Sequence, residues 1–133
     1  MPKSEEETTA ILLAKKNWEI YAGCKCTPRD IAEGKGYDLE CQHRHVEVKG
    51  TGNQRPGFRF LTEGEFDAAR SDPLFELWLI TGIAEGAGVF HIVKRESLLA
   101  SAKLTIQWQM PLGKERLRVF RQAAEDREAK KGS

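Results

Sequence analysis

The chain has 133 residues, of which 40% are hydrophobic and 31% charged, and its formal net charge is +1. These values predict one domain over residues 1–133 with a core of its own, and no apolar run approaches the roughly 20 residues that cross a bilayer. A nearly neutral charge gives no overall support for nucleic-acid binding, although a nuclease can concentrate cations locally. The segment Met1–Glu7 lacks the pattern of a signal peptide, and three cysteines, an odd number, argue against a disulfide framework. We therefore expect a reducing, cytoplasmic setting.

The first predicted element is a helix that begins after Ser4 and ends near Lys16–Asn17. Ser4 can cap it, and Glu7, three residues later, can complete a capping box. The short run Trp18–Tyr21 then predicts a strand. In the polar connection that follows, Thr27–Asp30 indicates a single helical turn.

Two runs separated by a couple of polar residues, Tyr37–Cys41 and Arg44–Lys49, predict a tight β-hairpin. Side chains alternate across a strand, so Val46 and Val48 share the face that we expect to be buried. The opposite face then carries Asp38, Glu47 and Lys49. Two carboxylates and a lysine on one surface are either an ordinary solvated face or the parts of a site for a divalent cation and a phosphate. We expect them at the edge of the sheet, open to solvent.

Cysteines and histidines occur at two places, as Cys24-x-Cys26 and as Cys41-x-His43-x-His45. Structural zinc usually takes ligand pairs spaced two to four apart, and neither pair has that spacing. His45 also falls beside Glu47 on the hairpin. The pattern therefore favours half-buried thiols and surface histidines without zinc.

The glycine-rich segment Gly50–Arg59 predicts a loop. Arg55 and Arg59 lie on either side of Phe58, a composition that suits phosphate contact and base packing as well as an ordinary solvated loop. A helix follows, capped by Thr62 with Glu65 in a capping box, and it ends before Asp72-Pro73.

Three further strands and one short helix are predicted after the Thr62 helix. The apolar run Leu74–Ile80 predicts a strand covered on both faces, and Val89–Val93 predicts its neighbour. Ser97–Ala102 indicates a short helix. Alternation from Leu104 to Met110 predicts a half-buried strand that Pro111 ends.

The segment from about Lys114 onward is charged and favours a helix or tail, and we expect Glu125–Ser133 to fray. Its arginines suit either contact with DNA or ion pairs along a solvated helix. They are Arg116, Arg118, Arg121 and Arg127.

The spacing of Asp38, then eight residues, then Glu47-Val48-Lys49 resembles the Asp…Glu-x-Lys signature of the PD-(D/E)xK nuclease superfamily. Together with Gly36–Leu39, the Thr62 helix and the following apolar strand, it is similar to one family in particular. This family is the domain at the C-terminus of the plant protein NO VEIN, found also in many bacterial restriction-type proteins. The similarity covers about Glu7 to Ala100. The family usually has Asn-Glu-Trp where this chain has Gly64-Glu65-Phe66.

The resemblance implies an α/β, restriction-endonuclease-like core: a central mixed sheet of four to five strands with helices on both faces. It implies that Asp38, Glu47 and the backbone carbonyl of Val48 hold Mg²⁺ or Mn²⁺. Lys49 would orient or deprotonate the attacking water and offset transition-state charge. The first helix of the superfamily often adds an acidic residue, for which Glu6 and Glu7 are candidates. Glu65 is a further candidate, although capping is a sufficient reason for it and for Glu7.

The function that follows is a metal-dependent nuclease of restriction or defence type, acting on nucleic acid, with DNA favoured. Its partners would include other subunits of such a system, and a homodimer would allow both strands to be cut. The alternative is a module with the same fold that binds nucleic acid, or another protein, without hydrolysis. Such a module would be indifferent to loss of the Lys49 amine.

Overall fold

A computed structural model describes residues 4–32, 35–52, 58–86, 88–104 and 108–132, with backbone alone at 58–60, 85, 104, 108–109 and 132. The helices are α1 Glu5–Lys16, α2 Trp18–Ala22, α3 Glu63–Ser71, α4 Arg95–Ser101 and α5 Lys114–Gly132, and a 3-10 turn covers Ile83–Glu85. The strands are β1 Arg29–Asp30, β2 Leu39–Cys41, β3 Arg44–Gly50, β4 Phe58–Leu61, β5 Phe75–Thr81, β6 Val89–Lys94, β7 Lys103–Leu104 and β8 Trp108–Pro111.

A five-stranded mixed sheet of order β1-β2-β3-β5-β6 forms the centre of the fold. β3 and β5 run parallel, and the other neighbours are antiparallel. All seven residues of β5 are buried, as the apolar run predicted for a strand covered on both faces. The α/β class and the mixed sheet of four to five strands are therefore confirmed. A second, three-stranded sheet of order β4-β8-β7 was not predicted.

Two apolar cores cover the two faces of the central sheet. On one face α1 and α2 pack against Val46, Val48, Trp78 and Ile80. On the other, residues of α3 and α4 pack against Leu77 and Leu79. Helix α5 contributes to both cores, with Ala124 in the first and Leu117 and Phe120 in the second. Helices therefore lie on both faces of the sheet, as expected.

The segment Trp18–Tyr21, predicted to be a strand, is helical and forms most of α2. Trp18, Tyr21 and Ala22 lie at helical spacing, so one face can be buried. Ring centroids are 4.9 Å apart between Trp18 and Trp78, and 4.2 Å apart between Tyr21 and Phe90. A four-residue apolar run fits a helical turn and a strand alike, and contact with the sheet decides in favour of the helix.

Three other segments also differ from the sequence prediction. Thr27–Asp30 makes no helical turn; its second half is β1, which pairs with β2. The predicted loop Gly50–Arg59 ends earlier, because β4 starts at Phe58 and pairs with β8. Leu104–Met110 is not one strand, since β7 and β8 pair antiparallel to each other, and residues 105–107 lie outside the described part. Each difference depends on a pairing partner distant in sequence, which local periodicity does not reveal.

The end of α5 was predicted to fray, but the helix continues to Gly132. The guanidinium of Arg127 makes a bidentate contact with the buried carboxylate of Glu76 in β5, with N–O distances of 2.6 and 2.8 Å. Arg44 adds a third ion-pair contact to that carboxylate at 2.8 Å. The Tyr21 hydroxyl also donates to Glu128 at 2.6 Å. Polar contacts to the sheet and to α2, rather than an apolar face, fix this part of the helix.

Candidate metal centre on the central strand

The predicted hairpin is confirmed and determines where the candidate side chains point. β2 and β3 pair with Leu39 opposite Val46 and Cys41 opposite Arg44. Val46 and Val48 are buried in the first core, with 0% and 2% of their surfaces exposed. Because side chains alternate along β3, Glu47 and Lys49 lie on the opposite face.

Asp38 lies just before β2 and completes the pairing of β3. Its N–H donates to the Val46 carbonyl at 2.9 Å, and its Oδ2 accepts from the Val48 N–H at 2.8 Å. In a strand, the N–H and C=O of one residue point to the same edge. The Val48 carbonyl is therefore directed to the edge where the Asp38 carboxylate lies. These are two of the three oxygen ligands that the resemblance implies, and Glu47 is the third.

Glu65 at the start of α3 reaches the same cluster. The predicted capping box is confirmed: the Glu65 N–H donates to Thr62 Oγ1 at 3.1 Å, and the Thr62 N–H donates to Glu65 Oε1 at 2.9 Å. Glu65 Oε2 accepts from Lys49 Nζ at 2.8 Å, and Lys49 Nζ lies 3.4 Å from Glu47 Oε2. One carboxylate therefore caps the helix with one oxygen and holds the lysine with the other.

A close packing contact brings the segment before Asp38 against α3. Gly36 has φ of +84°, and a Cβ there would lie 2.6 Å from the Gly64 carbonyl and 2.7 Å from the Ala68 Cβ. Only glycine fits both the left-handed backbone and this approach. Asp38 lies in a loop and Glu65 in a helix, and the two residues are 27 positions apart in the sequence. The contact between Gly36 and α3 explains how both join one site.

The predicted exposure of this site is wrong. Asp38, Glu47 and Lys49 have exposed fractions of 7%, 4% and 8%, and β3 is a central strand between β2 and β5. Strand alternation assigns side chains to a face but does not say what covers that face. Here α3 lies over it and supplies Glu65. The three side chains do lie on one face, but they are enclosed and not at an open edge.

Burial first, and then the charges of Glu65 and Asp38, raise the pKa of Glu47 well above its ordinary value. Burial also raises the pKa of Glu65, but the hydrogen bond from Glu47 and the charge of Lys49 outweigh it and lower that pKa overall. Of the two carboxyls, Glu47 therefore keeps its proton to higher pH, and Glu65 is the better partner for the Lys49 ammonium.

By its chemistry the donor set suits a hard divalent cation, but its carboxylate oxygens do not lie together as ligands: among the described residues, only Cys24, Cys26 and Cys41 bring three such ligand atoms within 4.8 Å of one another. With all groups ionised, three carboxylates and one ammonium sum to −3 + 1 = −2, in a place where burial makes uncompensated charge costly. Carboxylate and carbonyl oxygens are the ligands that Mg²⁺ prefers. Asp38, Glu47 and the Val48 carbonyl are the candidate ligands, and Glu65 is a fourth oxygen donor beside them. A cation there would offset the charges of Glu65 and Asp38, which add to burial in raising the pKa of Glu47.

The other predicted site residues lie elsewhere. Helix α1 packs on the Val46 face, where the Glu7 N–H donates to Ser4 Oγ at 3.1 Å as predicted for the cap. The Glu6 carboxylate accepts from the Gly52 N–H, just after β3. Neither contact tests a role in metal binding. Arg55 lies outside the described residues, and so does the side chain of Arg59.

The three cysteines form a cluster that the sequence did not predict. Cys24 Sγ lies 3.0 Å from Cys26 Sγ and 3.4 Å from Cys41 Sγ, and Cys26 and Cys41 are joined as a disulfide. The sequence predicted separate motifs at Cys24-x-Cys26 and Cys41-x-His43-x-His45, and its odd number of cysteines argued against a disulfide framework, which the Cys26–Cys41 bond contradicts. Pairing of β1 with β2 adds Cys41, and only the hairpin register could have indicated this.

The fold and this site define an α/β protein with a buried carboxylate–lysine cluster on a central strand. Residues 5–93 match the family described as Protein NO VEIN, C-terminal, and the chain belongs to that family. No curated protein and no solved structure matches the chain. Within the described ranges, no helix is long and apolar enough to cross a membrane.

Proposed function

We propose that the chain is a Mg²⁺- or Mn²⁺-dependent hydrolase of phosphodiester bonds in nucleic acid, with DNA as the favoured substrate. The observation that carries this proposal is that Glu47 and Glu65 both contact Lys49, while Asp38 accepts a hydrogen bond from the adjacent Val48, whose carbonyl points to the same edge. The PD-(D/E)xK resemblance assigns the same positions to metal binding and catalysis. A role beside other subunits of a restriction or defence system, as a monomer or a homodimer, belongs to the same proposal.

Each side chain has a distinct task in this proposal. Asp38, Glu47 and the Val48 carbonyl would hold the cation, which when bound would polarise a phosphate oxygen and lower the pKa of a bound water. Because the pKa of Glu47 is raised, a cation would have to compete with a proton for this carboxylate. Lys49 places a positive charge beside these carboxylates, where it can orient the attacking water and offset charge on the phosphate in the transition state. Glu65 positions the Lys49 amine.

A second candidate is a binding module without hydrolysis. The observation in its favour is that Lys49, Glu47 and Glu65 already satisfy one another in a buried cluster. In such a module the three groups would stabilise the contact between β3 and α3 and would not require a metal.

The two candidates are separated by cleavage of a mixed panel of DNA and RNA, single and double stranded, with Mg²⁺ or Mn²⁺. Glu47→Gln should abolish both activity and Mg²⁺ binding, measured by calorimetry. Lys49→Met keeps the length of the side chain without its charge; it should retain the metal and lose activity about 10²–10⁴-fold, the usual range for acid–base groups.

Glu40→Gln is the matched control, because Glu40 lies on β2 outside the cluster and pairs with Arg29. It should cleave like the wild type. Activity that survives Glu47→Gln and Lys49→Met equally would contradict the assignment of this site. Absence of both cleavage and metal binding in the wild type would favour the binding module.

A further inference from the structure

The sulfur atoms of three cysteines lie close together between α2 and the β2–β3 hairpin. Cys24 follows the end of α2, which Gly23 terminates with φ of 72°. Cys26 lies two residues later, before β1, and Cys41 is the last residue of β2. The three sulfurs lie within 4.8 Å of one another, and each cysteine is half-buried.

We propose that the reduced chain binds a thiophilic metal ion, Zn²⁺ first among them, through Cys24, Cys26 and Cys41. A zinc–sulfur bond of about 2.3 Å and tetrahedral angles require sulfurs about 3.8 Å apart. Cys24 Sγ is 3.0 and 3.4 Å from the other two, so small side-chain rotations reach that spacing. The thiolates fill three positions, and half-burial leaves the fourth to water or an added ligand. His45 is engaged elsewhere, with its Nδ1 2.5 Å from Asp72 Oδ2 and its ring stacked on Tyr37.

The charges around the cluster favour an anionic metal–thiolate centre. Zn²⁺ with three thiolates carries +2 − 3 = −1. Cys24 lines a cavity of about 460 Å³ whose other lining side chains include five cations and one carboxylate. The cations are Lys25, Arg44, Arg127, Lys130 and Lys131, and the carboxylate is Glu19. Arg44 and Arg127 pair with Glu76, and Lys131 pairs with Glu19, so five cations stand against two carboxylates among these residues. This formal excess of positive charge suits a centre with a net charge of −1.

The disulfide and the metal are alternative states of the same sulfurs. Reduction of the Cys26–Cys41 bond by a dithiol transfers two electrons and two protons and leaves the oxidised dithiol. The three thiols then release three protons as they bind Zn²⁺. A disulfide requires only two cysteines. Cys24 lies beside both sulfurs of the disulfide, and its thiolate would be the third ligand of the metal ion.

This site is chemically distinct from the carboxylate cluster. Thiolates select soft or borderline ions, whereas carboxylates and carbonyls select Mg²⁺. Cys41 and Asp38 lie at opposite ends of the β2 region, so an ion at one site has no ligand in common with the other. The zinc centre would tie the end of α2 to the hairpin that carries Asp38 and Glu47.

The test is the zinc content of the full chain, purified with a phosphine reductant and without chelator. We expect one equivalent per chain, and replacement by Co²⁺ should give a thiolate-to-cobalt charge-transfer band. Cys24→Ser is the decisive variant, because it removes one of the three ligands and leaves Cys26 and Cys41 in place. It should weaken Zn²⁺ binding about 100-fold or more, since outer-shell changes alone cost 10–100-fold in other sites.

Glu47→Gln is the control that separates this site from the carboxylate cluster, and it should retain the full zinc content. Zinc absent from the reduced wild type, or bound as tightly by Cys24→Ser as by the wild type, would overturn the proposal. Loss of zinc in Glu47→Gln would do the same, because the ion would then belong to the carboxylates. Far-ultraviolet circular dichroism confirms that each variant is folded.

Discussion

Glu47 combines almost complete burial with a carboxylate on a central strand, and two other carboxylates lie beside it. A group in that position would ordinarily be replaced by an apolar residue, because burying charge without compensation is costly. Its neighbours on β3, Val46 and Val48, are apolar. The proton shared with Glu65 and the charge of Lys49 make the arrangement tolerable without metal. Such a strongly raised pKa is a frequent property of functional sites.

The stability of the metal-free protein should therefore fall as the pH rises. Unfolded Glu47 ionises near pH 4.5, whereas the folded group keeps its proton to higher pH. Its contribution is fully present below pH 4.5 and is lost as the pH rises through the raised folded pKa. The loss amounts to about 1.4 kcal/mol for every pH unit that separates the unfolded pKa from the folded pKa. Glu47→Gln removes this titration and should be relatively more stable at high pH.

Urea unfolding of both proteins in the presence of a chelator, from pH 4.5 to about pH 8, measures this difference. Glu76 has a lowered pKa and contributes with the opposite sign, but it is common to both proteins and cancels. A difference in unfolding free energy that does not change with pH would show that Glu47 is ionised in the folded, metal-free protein.

At the scale of elements, substitutions in α5 test whether ion pairs or apolar contacts anchor the second half of this helix. Arg127→Met should cost about 3 kcal/mol, the lower end of the range for breaking a buried pair, because Glu76 would keep Arg44 as a remaining partner. Arg118→Met in the same helix breaks an exposed pair with Glu115 and should cost about 0–1 kcal/mol. Thermal unfolding compares the two. Equal losses would mean that the pairing with Glu76 does not anchor the helix.

Elements with local signals were predictable from the sequence. The hairpin follows from two alternating runs across a short turn, and the α3 cap follows from Thr62 and Glu65 alone. By contrast, α2, β1 and the end of α5 depend on partners distant in sequence: the sheet, β2 and Glu76. The gathering of Glu47 and Lys49 on one face followed from alternation. Their burial did not, because α3 covers that face through tertiary packing.

For the whole molecule, metal binding and folding should be linked through Glu47. Burial, and then the charges of Glu65 and Asp38, favour the protonated form of Glu47 in the metal-free chain. Under the proposed function, a divalent cation would replace that proton and would bind the folded state and not the unfolded chain. The stability lost at high pH would then be recovered when the ion is present.

We therefore expect Mg²⁺ to raise the melting temperature more at about pH 8 than at about pH 5, because the ion competes with the Glu47 proton. At a concentration 100 times its dissociation constant, the gain corresponds to about 2.7 kcal/mol. Glu47→Gln should show no gain at either pH, whereas Cys24→Ser should gain as much as the wild type. Differential scanning fluorimetry with and without Mg²⁺ measures all of these effects. A gain of equal size at both pH values, or one that persists in Glu47→Gln, would place the ion at a site that does not include Glu47.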